Sequence, residues 1–261
     1  GSNICTQLLE RGEKVRAFVL QGDKAAKFLP ERVEVFYGNL CDKASLLPFF
    51  SVEQGVKTIC IHVASMVTVN PYYRKTVLDV NVGGTENIVD MCLEHKECEK
   101  LVYVGSTGGI PELPHGEKIK EIAEVNLDKV EGWYSKSKAM ATNNVFTAVK
   151  NRGLKACVVY PTGIFGPNDY AVSETTSTII KILKGEMPSF VQLTYCTMET
   201  EDIVRFEEEV KEDALTEWFE ALLRSYAMWL FWQVEWQKER NLTIKKLEFP
   251  FEYREGQHKL V

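Results

Sequence analysis

The sequence predicts an α/β protein built on a mostly parallel β-sheet, and three observations support this prediction. Over residues 1–188, short apolar runs alternate with amphipathic stretches, which is typical of repeated strand–helix units. Some runs, such as residues 58–63, are apolar without alternation, as expected of strands that are buried on both faces. With 261 residues, of which 45% are hydrophobic, the chain is long enough for one sizeable core.

The elements follow one another in a regular order. A first helix carries Ile4, Leu8 and Leu9 on its apolar side and ends at Gly12. Apolar runs predict five strands, the last of which stops at Pro161, over residues 15–20, 33–37, 58–63, 101–104 and 156–160. Apolar residues at helical spacing predict further helices around residues 46–50, 77–92 and 132–150.

The pattern changes after Pro188. Between residues 201 and 240, apolar side chains recur at steps of three and four opposite Glu and Lys, which predicts one amphipathic helix or two in sequence. Residues 247–253 are compatible with a short strand. The sequence therefore divides into an α/β domain over 1–188 and a divergent, mainly helical segment over 189–261. Four tryptophans in this segment suggest a packed helix or a surface for a partner, including a second copy of the chain: Trp218, Trp229, Trp232 and Trp236.

Composition and charge argue against several classes of partner. The formal net charge is −6 and both signs are mixed along the chain, which argues against a nucleic-acid surface and favours a small-molecule substrate. Seven cysteines lie far apart, without the spacing of a zinc site, and are expected to be reduced thiols of a cytoplasmic protein. We see no export signal. The charge-free stretch 225–234 is half as long as a membrane-spanning helix, so no span is expected.

Tyr134 and Lys138 are the strongest candidates for catalysis. Residues four apart on a helix share a face, so the phenol and the ammonium group are expected side by side. The pKa of a free tyrosine is near 10, and the phenol exchanges a proton at neutral pH only where a nearby cation stabilises the phenolate. Lys138 is placed to supply that charge. Taken alone, this spacing also fits an ordinary surface helix.

Three further features lie where a site would form. Ser106 follows a buried strand, at the carboxyl edge of the sheet where ligands of open α/β folds bind, although a capping serine fits equally. Pro161 begins a turn after the next strand at the same edge, which a plain loop would also explain. Asn81 precedes Gly83 and Gly84 in a helix. Because glycine costs about 1 kcal/mol relative to alanine in a helix, we expect close backbone approach there, with the helix packed on the sheet.

With three other motifs, these features resemble the extended short-chain dehydrogenase/reductase family, also described as the NAD-dependent epimerase/dehydratase family. The resemblance covers about residues 1–188 and fits the dihydroflavonol-reductase-like branch best. The further motifs are Val15-Arg16-Ala17, Gly38-Asn39-Leu40-Cys41-Asp42 and His62-Val63-Ala64-Ser65. The resemblance implies a Rossmann-like domain that binds NAD or NADP.

The resemblance also implies residue roles. Tyr134 would be the general acid and base, Lys138 would lower its pKa and hold the nicotinamide ribose, and Ser106 would hydrogen-bond the substrate oxygen. The positions expected to contact the cofactor are Gly1, Asn39, Leu40, Ala64, Ser65, Asn81, Tyr134, Lys138, Pro161 and Ile164.

The implied activity is NAD(P)-dependent oxidoreduction of a ketone, an aldehyde or a secondary alcohol. The alternatives are a sugar-nucleotide epimerase or dehydratase, and an inactive remnant that serves as a binding or interaction protein. Leu20 and Gln21 stand where an acidic residue often binds the adenosine ribose, and no arginine replaces it. NAD and NADP are therefore both compatible with the sequence.

The N-terminal residues depart from the family pattern. Gly1-Ser2-Asn3-Ile4 resembles the last glycine of the G-x-x-G-x-x-G loop and the start of its helix, which bind the pyrophosphate. The strand and the first two glycines that precede them in the family are not in this sequence. We therefore expect a sheet without its first strand, with a central gap, a rearrangement or a replacement strand, and weakened cofactor binding.

Overall fold

A computed structural model of the chain describes residues 1–68, 70, 72–114, 117, 119–165, 169–170, 172–184, 186 and 197–199. Within these residues, strands and helices alternate as predicted. The strands are β1 (Arg16–Leu20), β2 (Glu34–Gly38), β3 (Thr58–His62), β4 (Cys98–Val104), β5 (Ala156–Val159), β6 (Gly163–Phe165) and β7 (Thr197–Glu199). The helices are α1 (Ser2–Glu10), α2 (Lys43–Phe50), α3 (Lys75–Leu78), α4 (Gly84–Glu94), α5 (Trp133–Arg152) and α6 (Glu174–Leu183).

The strands are paired in parallel, in three ladders. β1 pairs with β2, β4 lies between β3 and β5, and β6 pairs with β7. In the order expected for a doubly wound sheet, one further strand lies between β1 and β3. Among the described residues no ladder joins these two strands. The predicted parallel α/β fold is therefore confirmed.

Two short strands were not predicted. β6 follows the Pro161 turn and contains Ile164, where a loop was expected. β7 lies in the segment 189–261, which was predicted to be mainly helical. Strands of three residues are too short to show a periodic pattern of their own, and here each depends on the other. The predicted helix of 201–240, the strand of 247–253 and the tryptophan cluster lie outside the described residues.

Short sequence signals set the helix ends. The Asp42 carboxylate accepts a hydrogen bond of 3.1 Å from the backbone N–H of Ala44 and so caps the start of α2. Gly153, at φ 73°, takes the left-handed conformation that ends α5. The helix predicted near 132–150 is therefore present with nearly the expected bounds.

The helix predicted over 77–92 is not continuous. A π-helical turn, Asp79–Gly83, separates α3 from α4. A side chain at Gly84 would lie 3.0 Å from the Leu40 Cβ, so the expected close approach is present, but to the turn after β2 rather than to a strand. A side chain at Gly83 would meet no neighbouring element within 4 Å. Turns of this kind occur often at functional sites.

Helices pack on both faces of the β1–β2 ladder. Ala17 and Val35 face a cluster with residues of α1, whereas the neighbouring residue Phe18 faces the main core. The Phe49 ring of α2 lies 5.7 Å from that of Phe18, between ring centroids. Since the main core also contains residues of β3, β4, α4 and α5, α2 connects the two larger ladders.

No helix of the described residues combines the length and the apolar character needed to cross a bilayer. The described cysteines are free thiols, at Cys5, Cys41, Cys60, Cys92, Cys98 and Cys157.

Candidate active site

Lys138 is held inside the protein in the second turn of α5. Its side chain is buried, and its Nζ donates a 2.8 Å hydrogen bond to the carbonyl oxygen of Val104, the last residue of β4. The Nζ also lies 4.9 Å from the centroid of the Tyr103 ring, a cation–π distance. Burial lowers the pKa of Lys138 to about 8. The amine is therefore largely charged at pH 7 but loses its charge in mildly alkaline solution.

Tyr134 lies one helical turn before Lys138 and is half-buried. Its phenol is close enough to Tyr103 to act on it electrostatically: burial raises the pKa of Tyr103, and Tyr134 raises it further. The same tyrosine ring is thus near both members of the predicted pair. The α5 helix and the end of β4 together bring the phenol and the ammonium group into one region.

Ser106 lies beside the same end of α5. Its Oγ accepts a 3.2 Å hydrogen bond from the backbone N–H of Gly108. Ser106 thus caps the short turn Thr107–Gly109, which is the capping role that the sequence allowed. A side chain at Gly108 would lie 3.5 Å from the hydroxyl oxygens of both Ser106 and Ser135. Gly108 therefore lies close to two hydroxyl groups, one of them on the residue that follows Tyr134.

Two hydrogen bonds to one backbone carbonyl hold the strand ends together next to Ser106. Thr107 donates from its N–H, at 3.0 Å, and from its Oγ1, at 3.3 Å, to the carbonyl oxygen of Pro161. A side chain at Gly109 would lie 3.2 Å from the backbone nitrogen of Ala139, so this turn packs closely against α5. The ends of β4 and β5 and the start of α5 thus lie together, with Ser106 and Pro161 at the same edge of the ladder.

Asn81 lies in the π-helical turn and uses its whole amide group within the protein. Its Oδ1 accepts from the Met66 N–H at 2.7 Å and from the Ser65 Oγ at 3.2 Å. Its Nδ2 donates to the Met66 carbonyl at 3.0 Å and to the Ser137 Oγ at 2.9 Å. Asn81 and Ser65 therefore join the segment after β3 to α5. A direct contact between the Asn81 amide and a cofactor would replace one of these bonds.

Other predicted cofactor positions lie at the ends of β2 and β3. Asn39 is exposed, and its Oδ1 accepts from the Cys41 N–H at 2.9 Å. Leu40 packs under Gly84. Ala64 is exposed just after β3. These residues stand at the carboxyl edge of the ladders, as expected, but no hydrogen bond of the described residues ties them to Tyr134.

Gly1 and Ile164 mark the two other predicted positions. Gly1 precedes α1, and a side chain there would lie 3.7 Å from Val63, so the start of α1 is next to the end of β3. Ile164 is in β6, and no hydrogen bond within the described part of the chain connects it to Ser106 or Tyr134.

The sequence alone assigned no role in the site to His62, Thr85 or Ser137, although His62 belongs to one of the family motifs. His62 is the last residue of β3, and its Nε2 lies 2.9 Å from the Thr85 Oγ1. Burial, with a further contribution from the Lys138 charge, lowers the pKa of His62 to about 3. A histidine within an otherwise apolar strand was the available signal, because a buried imidazole requires a polar partner.

Comparison with known families identifies the chain. Residues 1–196 match the 3-beta hydroxysteroid dehydrogenase/isomerase family. The match extends past residue 188, where the α/β domain was predicted to end, and that boundary remains a prediction.

Individual relatives agree with this assignment. The chain is 30% identical over 207 residues to sterol demethylase protein B of Methylococcus capsulatus, covering 79% of this chain and 61% of the relative. It is 27% identical over 209 residues to a 3 beta-hydroxysteroid dehydrogenase/Delta 5→4-isomerase of Mycobacterium tuberculosis, covering 73% and 50%. The chain thus spans between 50% and 61% of the length of these two relatives.

Solved structures show the same fold. The crystal structure of gox2253 has a TM-score of 0.69 and 28% identity, and the match covers 78% of this chain and 61% of that one. A UDP-glucose 4-epimerase of Thermus thermophilus, solved in complex with NAD, has a TM-score of 0.65 and 23% identity, with 79% and 69% covered. The chain therefore belongs to the 3-beta hydroxysteroid dehydrogenase/isomerase family, within the NAD(P)-dependent short-chain dehydrogenases/reductases that its motifs predicted.

Proposed function

We propose that this protein oxidises a secondary alcohol, or reduces the corresponding ketone or aldehyde, with NAD or NADP and with Tyr134 as the general acid and base. The observation that carries the proposal is the position of the Lys138 amine. It is fixed on the Val104 carbonyl, one helical turn from Tyr134 and beside the strand end that bears Ser106. A cation at this place favours the phenolate form that acid–base catalysis requires.

The residues present are compatible with a nicotinamide cofactor. The start of α1 lies next to the end of β3, and backbone N–H groups at a helix start suit a phosphate. The Ser106 and Ser135 hydroxyl groups lie close to Gly108, and a hydroxyl can both donate a hydrogen bond to a ligand and accept one. When bound, the cofactor exchanges a hydride with the substrate carbon.

Residues of the chain transfer the proton. In alcohol oxidation, the Tyr134 phenolate accepts the proton of the substrate hydroxyl group, and in reduction the phenol returns it to the carbonyl oxygen. Lys138 stabilises the phenolate electrostatically. We assign Ser106 to the substrate oxygen, because its hydroxyl can donate one hydrogen bond while accepting that of Gly108.

We further propose an apolar, ring-bearing substrate. Trp133 directly precedes Tyr134 and packs edge-on against Tyr73, with ring centroids 4.8 Å apart. Both rings remain partly exposed, at 37% and 54%. The relatives named as acting on hydroxysteroids support the same class. The epimerase among the solved structures supports the fold alone, so we do not favour a sugar-nucleotide substrate.

Cofactor binding is tested first, on the 261-residue chain. NADH and NADPH are titrated separately, with nicotinamide fluorescence and the shift in Tm as measurements. We expect saturable binding of at least one of them, because a ligand that binds the folded state raises its stability. If neither gives a fluorescence change or a Tm shift, the proposed function is wrong.

Turnover is then measured with pregnenolone and NAD⁺ or NADP⁺ as a probe pair, for the wild type and Tyr134→Phe. We expect the substitution to lower kcat by about 10²- to 10⁴-fold, because it removes the acid–base group, and to leave the cofactor Kd within about twofold. Tyr72→Phe, at a side chain that is 77% exposed, is the matched control. Full turnover in Tyr134→Phe would refute the assigned role.

A further inference from the structure

A series of hydrogen bonds begins at His62, a group without an assigned role. Its Nε2 lies 2.9 Å from the Thr85 Oγ1, and that hydroxyl donates a 2.7 Å bond to the carbonyl oxygen of Asn81. A threonine hydroxyl has one hydrogen, and a carbonyl can only accept. The His62 Nε2 must therefore carry the hydrogen of its bond to Thr85. The geometry thus assigns the Nε2–H tautomer to His62.

The series of hydrogen bonds continues from Asn81 to α5, the helix that carries Tyr134 and Lys138. The Asn81 Nδ2 donates to the Ser137 Oγ at 2.9 Å, and the Ser137 Oγ donates to the backbone carbonyl of Tyr134 at 2.6 Å. We call these five residues, from His62 through Thr85, Asn81 and Ser137 to Tyr134, the His62–Tyr134 path. It connects the end of β3, the π-helical turn and the first turn of α5.

The side chains of the path are buried, and the donor and acceptor of each of its hydrogen bonds are fixed. The side chains of His62, Asn81, Thr85 and Ser137 are 4%, 2%, 1% and 0% exposed. Water cannot replace a lost partner there, and an unpaired buried polar group costs about 1–3 kcal/mol. Each hydroxyl on the path donates its one hydrogen to a backbone carbonyl and accepts from the side chain before it, so removing a hydroxyl leaves that buried donor without an acceptor. The path therefore favours one arrangement of β3, the π-helical turn, α4 and α5.

The surroundings of His62 keep it neutral. The Tyr103 ring lies 5.5 Å from the imidazole, between centroids, and the charged amine of Lys138 opposes a second proton on the ring. Lys138 itself is anchored one residue after Ser137, on the same turn of α5. The histidine therefore acts on the site as a fixed hydrogen-bond donor and not as a proton carrier.

We propose that His62 and Thr85 are positioning residues that set the placement of Tyr134 and Lys138 through Asn81 and Ser137. The inference rests on the proposed function, in which Tyr134 carries the proton. It adds that two residues without contact to the substrate control kcat. They act on the geometry of α5 and not on the affinity for the cofactor.

Kinetics of Thr85 variants test the proposal, with pregnenolone and the preferred nicotinamide. Thr85→Val keeps the shape and removes the hydroxyl. We expect kcat to fall by about 10- to 100-fold, since small misplacements of catalytic groups have effects of this size, with KM and the cofactor Kd within about threefold. Thr85→Ser restores the hydroxyl and should regain most of the lost kcat.

Thr142→Val is the matched control. Thr142 is also a threonine that is 1% exposed, it lies on α5, and it is not a member of the path. We expect this variant to lose stability without a comparable loss of kcat. The proposal is overturned if Thr85→Val keeps the wild-type kcat, or if both valine variants lose kcat to the same extent.

A second measurement does not depend on turnover. In the ¹⁵N-labelled chain, NMR of the imidazole nitrogens identifies the tautomer of His62, assigned by its loss in His62→Gln. We expect Nε2–H, with a slowly exchanging proton that is lost in Thr85→Val. An Nδ1–H tautomer in an active enzyme would contradict the path alone. The expected signals in a protein that binds neither nicotinamide would contradict the proposed function alone.

Discussion

Burial determines the chemistry of two titratable residues, Lys138 of the candidate site and His62 of the path that leads to it. Lys138 and His62 are 3% and 4% exposed, and burial lowers the pKa of each, to about 8 and about 3. Neither shift could be read from the sequence. In both residues, the folded protein disfavours the protonated form relative to the unfolded chain.

Acidification is expected to destabilise the protein through His62. Between its unfolded pKa of 6.5 and its folded pKa of about 3, the unfolded chain binds more protons, so stability falls as the pH falls through this range. Relative to His62→Gln, the wild type should lose about 2–3 kcal/mol of unfolding free energy between pH 7 and pH 4.5. Urea unfolding at the two pH values measures the difference. Parallel losses in both proteins would contradict the buried, neutral histidine.

Alkaline conditions are expected to relieve the cost of burying Lys138. Between its folded pKa of about 8 and its unfolded pKa of 10.5, the unfolded chain again binds more protons, so stability rises as the pH rises. Relative to Lys138→Met, the wild type should gain about 2 kcal/mol between pH 7.5 and pH 9.5. The measurement is urea unfolding of both proteins. An equal response to pH would show that the amine is hydrated and not buried.

At the scale of elements, the π-helical turn ends and α4 begins at two neighbouring glycines that have different surroundings. Gly84 lies against Leu40, whereas Gly83 has no neighbouring element within 4 Å of its missing side chain. The sequence showed that a pair of helical glycines requires an explanation. Only the packing of α4 on the turn after β2 showed which of them is required.

The pair provides its own control. Gly84→Ala should destabilise the protein by about 1–2 kcal/mol, because a methyl group 3.0 Å from the Leu40 Cβ forces a shift near the backbone that exceeds the gain in helix propensity. Gly83→Ala should be neutral or stabilise by up to about 1 kcal/mol. Thermal unfolding of both variants measures the difference. Equal changes in Tm would contradict the close approach at Gly84.

At the scale of the whole described domain, α2 connects ladders that share no strand pairing. Leu46 is fully buried in the main core, while its neighbour Leu47 is 49% exposed. The Phe49 ring contacts both strands of the first ladder, at 5.7 Å from Phe18 and 5.8 Å from Phe36. The side chains of α2 therefore help to hold the two larger ladders together.

Two leucine variants test this role of α2. Leu46→Ala should lower the unfolding free energy by about 2–5 kcal/mol, because it opens a cavity in the main core. Leu47→Ala should change it by less than about 0.5 kcal/mol. Urea unfolding followed by circular dichroism measures both. A small effect of Leu46→Ala would show that the ladders are held together by other contacts.

The sequence by itself determined the local elements and the family. Five strands, the helix of Tyr134 and Lys138, and the ends at Ser106 and Pro161 follow from apolar periodicity, turn residues and short motifs, which depend on neighbouring residues only. The match to residues 1–196 confirms the family.

Tertiary structure decided what depends on distant residues. The pairing of β6 with β7 and the His62–Tyr134 path join residues that lie far apart in the chain. The π-helical turn at Asp79–Gly83 is local, but the periodic pattern of the sequence did not show it. Thr85 and Ser137 are ordinary helix residues until folding brings them to His62 and Asn81. Burial makes the loss of those hydrogen bonds costly in free energy, because a partner lost in the interior is not replaced by water.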